Sequence, residues 1–237
     1  LWPMQLFYNP KLDNSVKQFV FPPDESKHIT RVLRKSEGDI VHITNGKGYL
    51  FEAQILEPDQ KRCKAQITSV TKSVPKRYNV HMAVAPTKMN DRFEWFLEKA
   101  TEIGMDEITP IICDRSERKS IKMERIERVL QSAMKQSLQT TLPKLNPAMT
   151  FQEFLELEQT GLKFIAHCEK DEKMELKRRV VTDKDCTILI GPEGDFTKNE
   201  IDAAKKKGYV PISLGRNRLR TETAAIVACS VVAMINS

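Results

Sequence analysis

The stretch Ile188-Leu-Ile-Gly-Pro-Glu-Gly-Asp-Phe196, read together with Ser213-Leu-Gly-Arg-Asn-Arg-Leu-Arg-Thr-Glu-Thr-Ala-Ala225, decides how this chain folds. Each segment starts where an apolar run gives way to glycine, and each feeds a helix. Short apolar runs of this kind are buried strands of a parallel sheet, and in open α/β sheets ligands bind beyond the carboxyl ends of the strands. Two such loops, about one strand and one helix apart, are expected to face one crevice.

From Tyr78 onward strand and helix alternate. Val80 to Ala85, Ile108 to Cys113, Lys163 to His167, Cys186 to Ile190 and Tyr209 to Leu214 are short apolar runs and predict strands. A helix is expected from Asp91, with Phe93, Leu97, Ala100 and Ile103 on one face and its end at Gly104. A second is expected from Glu124 to Ser137, burying Ile126, Val129, Leu130, Ala133 and Met134. Thr197-Lys-Asn-Glu200 reads as a capping box that opens a helix stopping at Gly208. This grammar predicts a mostly parallel α/β sheet.

The first 70 or so residues read differently. Asp39 to Thr44 and Tyr49 to Ile55 flank Asn45-Gly46-Lys47-Gly48, a hairpin signal. Arg62 to Val70 adds an alternating strand with Cys63, Ala65, Ile67 and Ser69 on one face, so a small barrel or curled sheet is expected. One short helix is expected within Asp24 to Lys35, with Ile29, Val32 and Leu33 together. The polar, proline-containing Thr71-Lys-Ser-Val-Pro-Lys76 marks the boundary between a domain at 1–73 and one at 74–237. Met4 reads as a natural start, which makes Leu1-Trp-Pro3 an appended remnant.

At 237 residues and 40% hydrophobic, the chain can bury a sizeable core. Its longest apolar stretch, Ala224 to Ile235, falls short of the roughly 20 residues that span a bilayer and reads as a buried helix. With no secretory leader in view, a cytoplasmic protein is expected. The five cysteines, Cys63, Cys113, Cys168, Cys186 and Cys229, never form a C-x-x-C pair and read as reduced core residues, with no metal site. Of the net charge of +6, residues 1–76 supply +4, from 12 Lys/Arg against 8 Asp/Glu. Basic side chains cluster at His28, Arg31, Arg34 and Lys35, at Arg115 to Arg128, and at Arg216, Arg218 and Arg220. Such clusters suit a polyanion, although each taken alone also fits a solvated surface.

Two readings of the loops stand on local residues. Gly191 and Gly194 lack a Cβ and tolerate a positive φ, so Ile190 to Gly194 is either a tight turn or a backbone cradle for a ligand. It is neither a P-loop, since no G-K-[ST] follows, nor a dinucleotide fingerprint. In Leu219-Arg-Thr-Glu-Thr223, Thr221 can cap the final helix and Glu222 suits the positive end of its dipole. Alternatively Arg220 projects into the crevice as a charge stabiliser.

Ile190-Gly-Pro-Glu-Gly194, followed by Leu214-Gly215 and Leu219-Arg-Thr-Glu-Thr-Ala224, resembles the signature of the RsmE-type 16S ribosomal RNA uracil-N3 methyltransferases of the SPOUT superfamily. Lys99-Ala-Thr-Glu-Ile-Gly104, Arg115-Ser-Glu-Arg118 and His28-Ile-Thr-Arg-Val-Leu-Arg34 resemble further segments of that family, so the likeness spans both expected domains. It implies an α/β fold with a C-terminal trefoil-knotted SPOUT methyltransferase domain and an N-terminal PUA-like β-barrel domain. It also implies S-adenosyl-L-methionine as cofactor, a homodimer, and the 16S rRNA of the small ribosomal subunit as partner.

By the same resemblance the cofactor contacts fall on Ile190, Gly191, Pro192, Glu193 and Gly194, on Ser213, Leu214 and Gly215, and on Leu219, Arg220, Thr221, Thr223 and Ala224. His167, ending a strand, either joins them or is a satisfied core histidine. The implied chemistry is transfer of a methyl group to N3 of a uracil, with Arg220 stabilising the base anion and Glu222 orienting Arg220 or the cofactor. RNA contacts are implied for His28, Arg31, Arg34, Arg115 and Arg118. Two positions depart from the pattern: Asp195 stands where relatives tend to have a second glycine, and Lys135-Gln-Ser-Leu-Gln139 where they often read E-Q-S-G-R. A methyltransferase of the same superfamily acting on transfer RNA or ribose, and a non-catalytic assembly factor, are the alternatives.

Overall fold

Alternation of buried and exposed residues builds the first sheet. Ile40–Thr44 (β3) and Tyr49–Glu57 (β4) form the expected hairpin, and Lys64–Lys72 (β5) pairs with β4. Leu6–Tyr8 (β1) and Gln18–Val20 (β2) complete a five-stranded mixed sheet in the order β1-β3-β4-β5-β2. The computed structural model describes residues 4–170 and 172–237; Leu1 to Pro3, the expected remnant, lie outside the described residues. At the hairpin tip Gly46 has φ +72°, and a Cβ there would stand 2.9 Å from the Tyr8 ring, so conformation and space both call for glycine.

Two details of this unit differ from expectation. Cys63 and Ala65 are buried and Ile67 half-buried, but Ser69 is exposed, because the β4–β5 register shifts between Glu52 and Ala53 and turns the strand over. The segment Asp24 to Lys35 is not one α-helix. Pro23–Lys27 (α1) runs directly into a π-turn, His28–Val32, in which the Leu33 amide donates to the His28 carbonyl at 3.0 Å. The wider turn leaves Ile29 fully buried and swings Val32 out to 64% exposure, and Arg34 at φ +54° ends it.

The second sheet is parallel at every pair. Val80–Val84 (β6), Glu107–Ile112 (β7), Lys144–Leu145 (β8), Met149–Thr150 (β9), Leu162–Ala166 (β10), Met174–Glu175 (β11), Cys186–Ile190 (β12) and Val210–Ser213 (β13) form it. The order is β11-β13-β10-β12-β6-β7-β8, with β9 also on β7. The helices are Asn90–Ile103 (α2), Met123–Gln136 (α3), Phe151–Glu156 (α4), Lys198–Lys206 (α5) and Thr221–Ile235 (α6). The chain divides into two compact units, one running to Pro75 and including Met134–Leu142, the other comprising Lys76–Ala133 and Pro143–Ser237. Gly104 closes α2 in the left-handed region, and α5 opens with the expected capping box between Thr197 and Glu200.

A buried polar network lies at the amino end of the second sheet. Nε2 of His81 meets Thr109 Oγ1 at 2.8 Å, Nδ1 meets Gln159 Oε1 at 3.1 Å, and Asn146 donates to Thr109 and to Glu107. Burial pushes the imidazole below its usual range, against the opposing pull of Glu107 and the Gln159 hydrogen bond. Above about pH 6.5 the imidazole is neutral in folded and unfolded chain alike. As pH falls below that, the unfolded chain takes up a proton the folded one refuses, so stability declines by up to about 1.4 kcal/mol per pH unit. Urea unfolding between pH 7.5 and pH 5 is expected to show this slope and His81→Gln to flatten it; parallel slopes would refute the assignment.

Candidate functional site

Register decides where the site lies. In the order β13-β10-β12, Ala166 pairs with both Ile190 and Ile212, so three strands end side by side. Past those ends the chain leaves through His167-Cys168, through the loop from Gly191 and through the loop from Leu214. They enclose a cavity of about 690 Å³, within the range of small-molecule sites.

Most of the expected cofactor residues line this cavity: Ile190, Gly191, Pro192, Glu193, Ser213, Leu214, Gly215, Leu219, Arg220, Thr221, Ala224 and His167. His167 directly follows β10 and is 8% exposed. Gly194 and Thr223 do not line it. Gly194 faces the other way, where a Cβ would stand 3.1 Å from Arg115 Cβ. Thr223 lies in the first turn of α6 but off the face that Thr221 and Ala224 turn to the cavity, since successive helical residues turn by about 100°.

The same rotation moves Glu222 away from Arg220. Its side chain is 10% exposed and approaches Arg92 of α2, Oε1 to Nε 4.0 Å, while Oε2 makes no hydrogen bond. It is not among the residues that line the cavity. Thr221 is not the helix cap either. Arg220 occupies that position in extended conformation without a side-chain cap bond, and Thr221 Oγ1 instead donates to the Gly191 carbonyl at 3.1 Å, tying the two loops together.

The glycines act through close packing rather than through a positive φ. Gly191 and Gly194 both have ordinary backbone angles; a Cβ on Gly191 would stand 3.1 Å from the Phe196 ring. The left-handed residue of this loop is Asp195, at φ +62°. Aspartate tolerates that region better than most residues.

Residues that sequence reasoning missed also line the cavity. Ala166 and Ile212 are floor positions identifiable only from strand order. Asn217 lines it too, and Arg216 and Arg218, read only as part of a basic cluster, ring the mouth with cations together with Lys173 and Arg220. Cys168, expected in a core, is exposed and lines the cavity; the other four cysteines are buried and unbridged. Burial pushes the thiol of Cys186 up to about 11 and that of Cys229 up to about 12.

The candidate RNA contacts fall in both units. Arg31 is exposed and donates to Gln60 Oε1 at 2.8 Å, and Arg34 is exposed. His28 turns inward, its ring edge-on to Phe7 and its Nε2 buried without a hydrogen bond. Arg115 donates to the Gly194 carbonyl at 3.0 Å, buttressing the loop, and Arg118 Nε donates to the Ser120 carbonyl. Among the described residues no cluster of His, Cys, Asp and Glu could hold a metal, and no helix is long and apolar enough to cross a membrane.

A model of an RNA methyltransferase domain matches residues 74–233, and one of an RNA methyltransferase PUA domain matches residues 21–68. The ribosomal RNA small subunit methyltransferase E of Buchnera aphidicola is 32% identical, over 93% of this chain and 89% of its own. The chain belongs to the ribosomal RNA small subunit methyltransferase E family. Two solved structures agree with that membership. A "probable rRNA-methyltransferase" from Porphyromonas gingivalis is 38% identical with a TM-score of 0.91, over 98% of both chains. A protein of Legionella pneumophila, solved in complex with bound cofactor SAM, is 29% identical with a TM-score of 0.87, again over 98% of both chains.

Proposed function

We propose that this chain methylates N3 of a uridine in the 16S ribosomal RNA of the small subunit, using S-adenosyl-L-methionine. The observation that carries the reading is the cavity at the three aligned strand ends, lined by the two loops that bear the family's motifs. Its residues fit the cofactor. Ile190, Ile212, Leu214, Leu219 and Ala224 supply apolar walls for an aromatic base, and Glu193 brings a carboxylate suited to a cationic ligand.

When bound, S-adenosylmethionine supplies an activated methyl group on a sulfonium sulfur. The chain's own part is alignment and charge stabilisation. Arg220, held at the helix mouth by backbone alone, points a permanent cation into the cavity where negative charge develops on the base as N3 gives up its imide proton to solvent. Because N3 lies on the Watson–Crick edge, the uridine enters unpaired or flipped.

The C-terminal segment is proposed to be threaded as a trefoil knot, making this a SPOUT domain beside a PUA-like barrel. The support is the adjacency of the loops from Gly191 and Leu214, locked by the Thr221 to Gly191 bond. A homodimer is proposed through α6, which carries one charged residue, leaves Ile226, Val227 and Val231 half-buried and exposes 75% of Met234. A cytoplasmic location follows from the ribosomal substrate.

Labelled methyl transfer to purified small subunits and to protein-free 16S RNA, followed by site mapping, tests the function. Label at N3 of a single uridine is expected; label on neither substrate overturns the reading. RNA affinity is expected to fall on the order of 10–100-fold between about 50 and 200 mM salt, for roughly four phosphate contacts. Filter binding measures it, and a flat profile would remove the exposed arginines from the interface.

A further inference from the structure

We infer that Asp195 is a positioning residue that sets the cofactor-facing wall of the cavity. Three observations carry this. Asp195 holds the left-handed conformation, φ +62°, with its amide donating to the Pro192 carbonyl at 2.9 Å, so the loop turns at this residue. Its carboxylate then reaches across to the exit of the central strand, where Oδ2 accepts the Cys168 amide at 2.7 Å, while Oδ1 accepts the Phe196 amide at 2.8 Å. On the other side of that exit, Lys173 Nζ donates to the His167 carbonyl at 2.7 Å and to the Glu169 carbonyl at 2.6 Å. Consecutive residues of one strand exit are thus pinned by opposite charges, one at its N–H and one at its C=O. His167, Cys168, Lys173 and Asp195 all line the cavity.

The middle strand's exit carries no glycine-bearing motif of its own. A carboxylate accepting backbone N–H groups makes a charge-assisted bond, stronger than a neutral one. Asp195 therefore does at this wall what the Thr221 to Gly191 bond does between the other two loops. Glycine at this position would adopt the same turn but leave the Cys168 amide without its acceptor, so the wall would be looser at equal backbone cost.

The inference rests on the cofactor reading above, and calorimetry separates the two. Wild-type chain binding no S-adenosylmethionine would sink the cofactor reading itself. Given wild-type binding, Asp195→Gly, which keeps the turn and removes the tether, is expected to weaken S-adenosylmethionine about tenfold, the scale of one lost charge-assisted bond. S-adenosylhomocysteine, with a neutral sulfur, is expected to weaken equally. The Michaelis constant for the cofactor should rise while the turnover at saturation stays within about threefold. Asp195→Asn, which tolerates the same turn and retains an acceptor oxygen, is expected to recover most of the affinity, and Lys173→Met to reproduce part of the loss from the other side. Unchanged affinity in Asp195→Gly overturns the inference. So does a loss confined to S-adenosylmethionine, which would make Asp195 an electrostatic partner of the sulfonium rather than a tether.

Discussion

Arg220→Ala is expected to lower methyl transfer by about 10²–10³-fold, the scale of losing one preorganised charge stabiliser. The guanidinium is exposed at the cavity mouth, and the residue takes its extended conformation at the start of α6 with no side-chain cap bond to lose. The substitution should therefore leave α6 and the Thr221 to Gly191 tie in place, and cofactor affinity should change less than about threefold. Single-turnover rates on small subunits, with calorimetry of cofactor binding, separate the two effects. Arg220→Lys keeps a charge but loses the planar fork and should fall between. A full turnover rate in the alanine variant would remove Arg220 from the chemistry.

Phe196→Ala is expected to cost about 3–5 kcal/mol of stability, as large-to-small changes in packed cores do. Phe196 is fully buried, lies 5.3 Å from the Phe151 ring and shares a cluster with Ile111, Phe154, Leu189 and Ile201. It also backs the cofactor loop, since Gly191 packs directly on its ring. Removing the ring opens a cavity behind Gly191, so cofactor affinity should fall together with the unfolding midpoint. Urea unfolding and calorimetry report both. A loss under about 1 kcal/mol with intact binding would mean that the loop keeps its shape without this support.

Much of the architecture was legible because local rules and tertiary packing agreed. The hairpin at Asn45-Gly46, the glycine ending α2, the capping box at Thr197 and the short apolar strands all form as read. Reading failed where a single extra residue changes phase. The π-turn at His28–Val32 moved His28 inward and Val32 outward, and a register shift in β4–β5 turned Ser69 to solvent. The side of α6 that Glu222 takes was not legible for a related reason. One step along a helix is about 100°, and only the packing of α6 says which of Thr221 and Glu222 faces the cavity.

By itself the sequence determined that strands alternate with helices after residue 78, that two glycine loops follow strands, and that a cation opens the last helix. Those properties reside in periodicity, turn chemistry and capping, all of which act over a few neighbouring residues. Only the tertiary structure decided that β10 lies between β12 and β13, which put Ala166 and Cys168 beside His167 at the site, since strand order depends on contacts between residues far apart in the chain. It likewise decided which charges face the cavity and which are spent on the frame. Arg115 buttresses the loop at Gly194, Glu222 meets Arg92, and Asp195, in sequence only a departure from the motif, ties the loop to the strand that completes the wall.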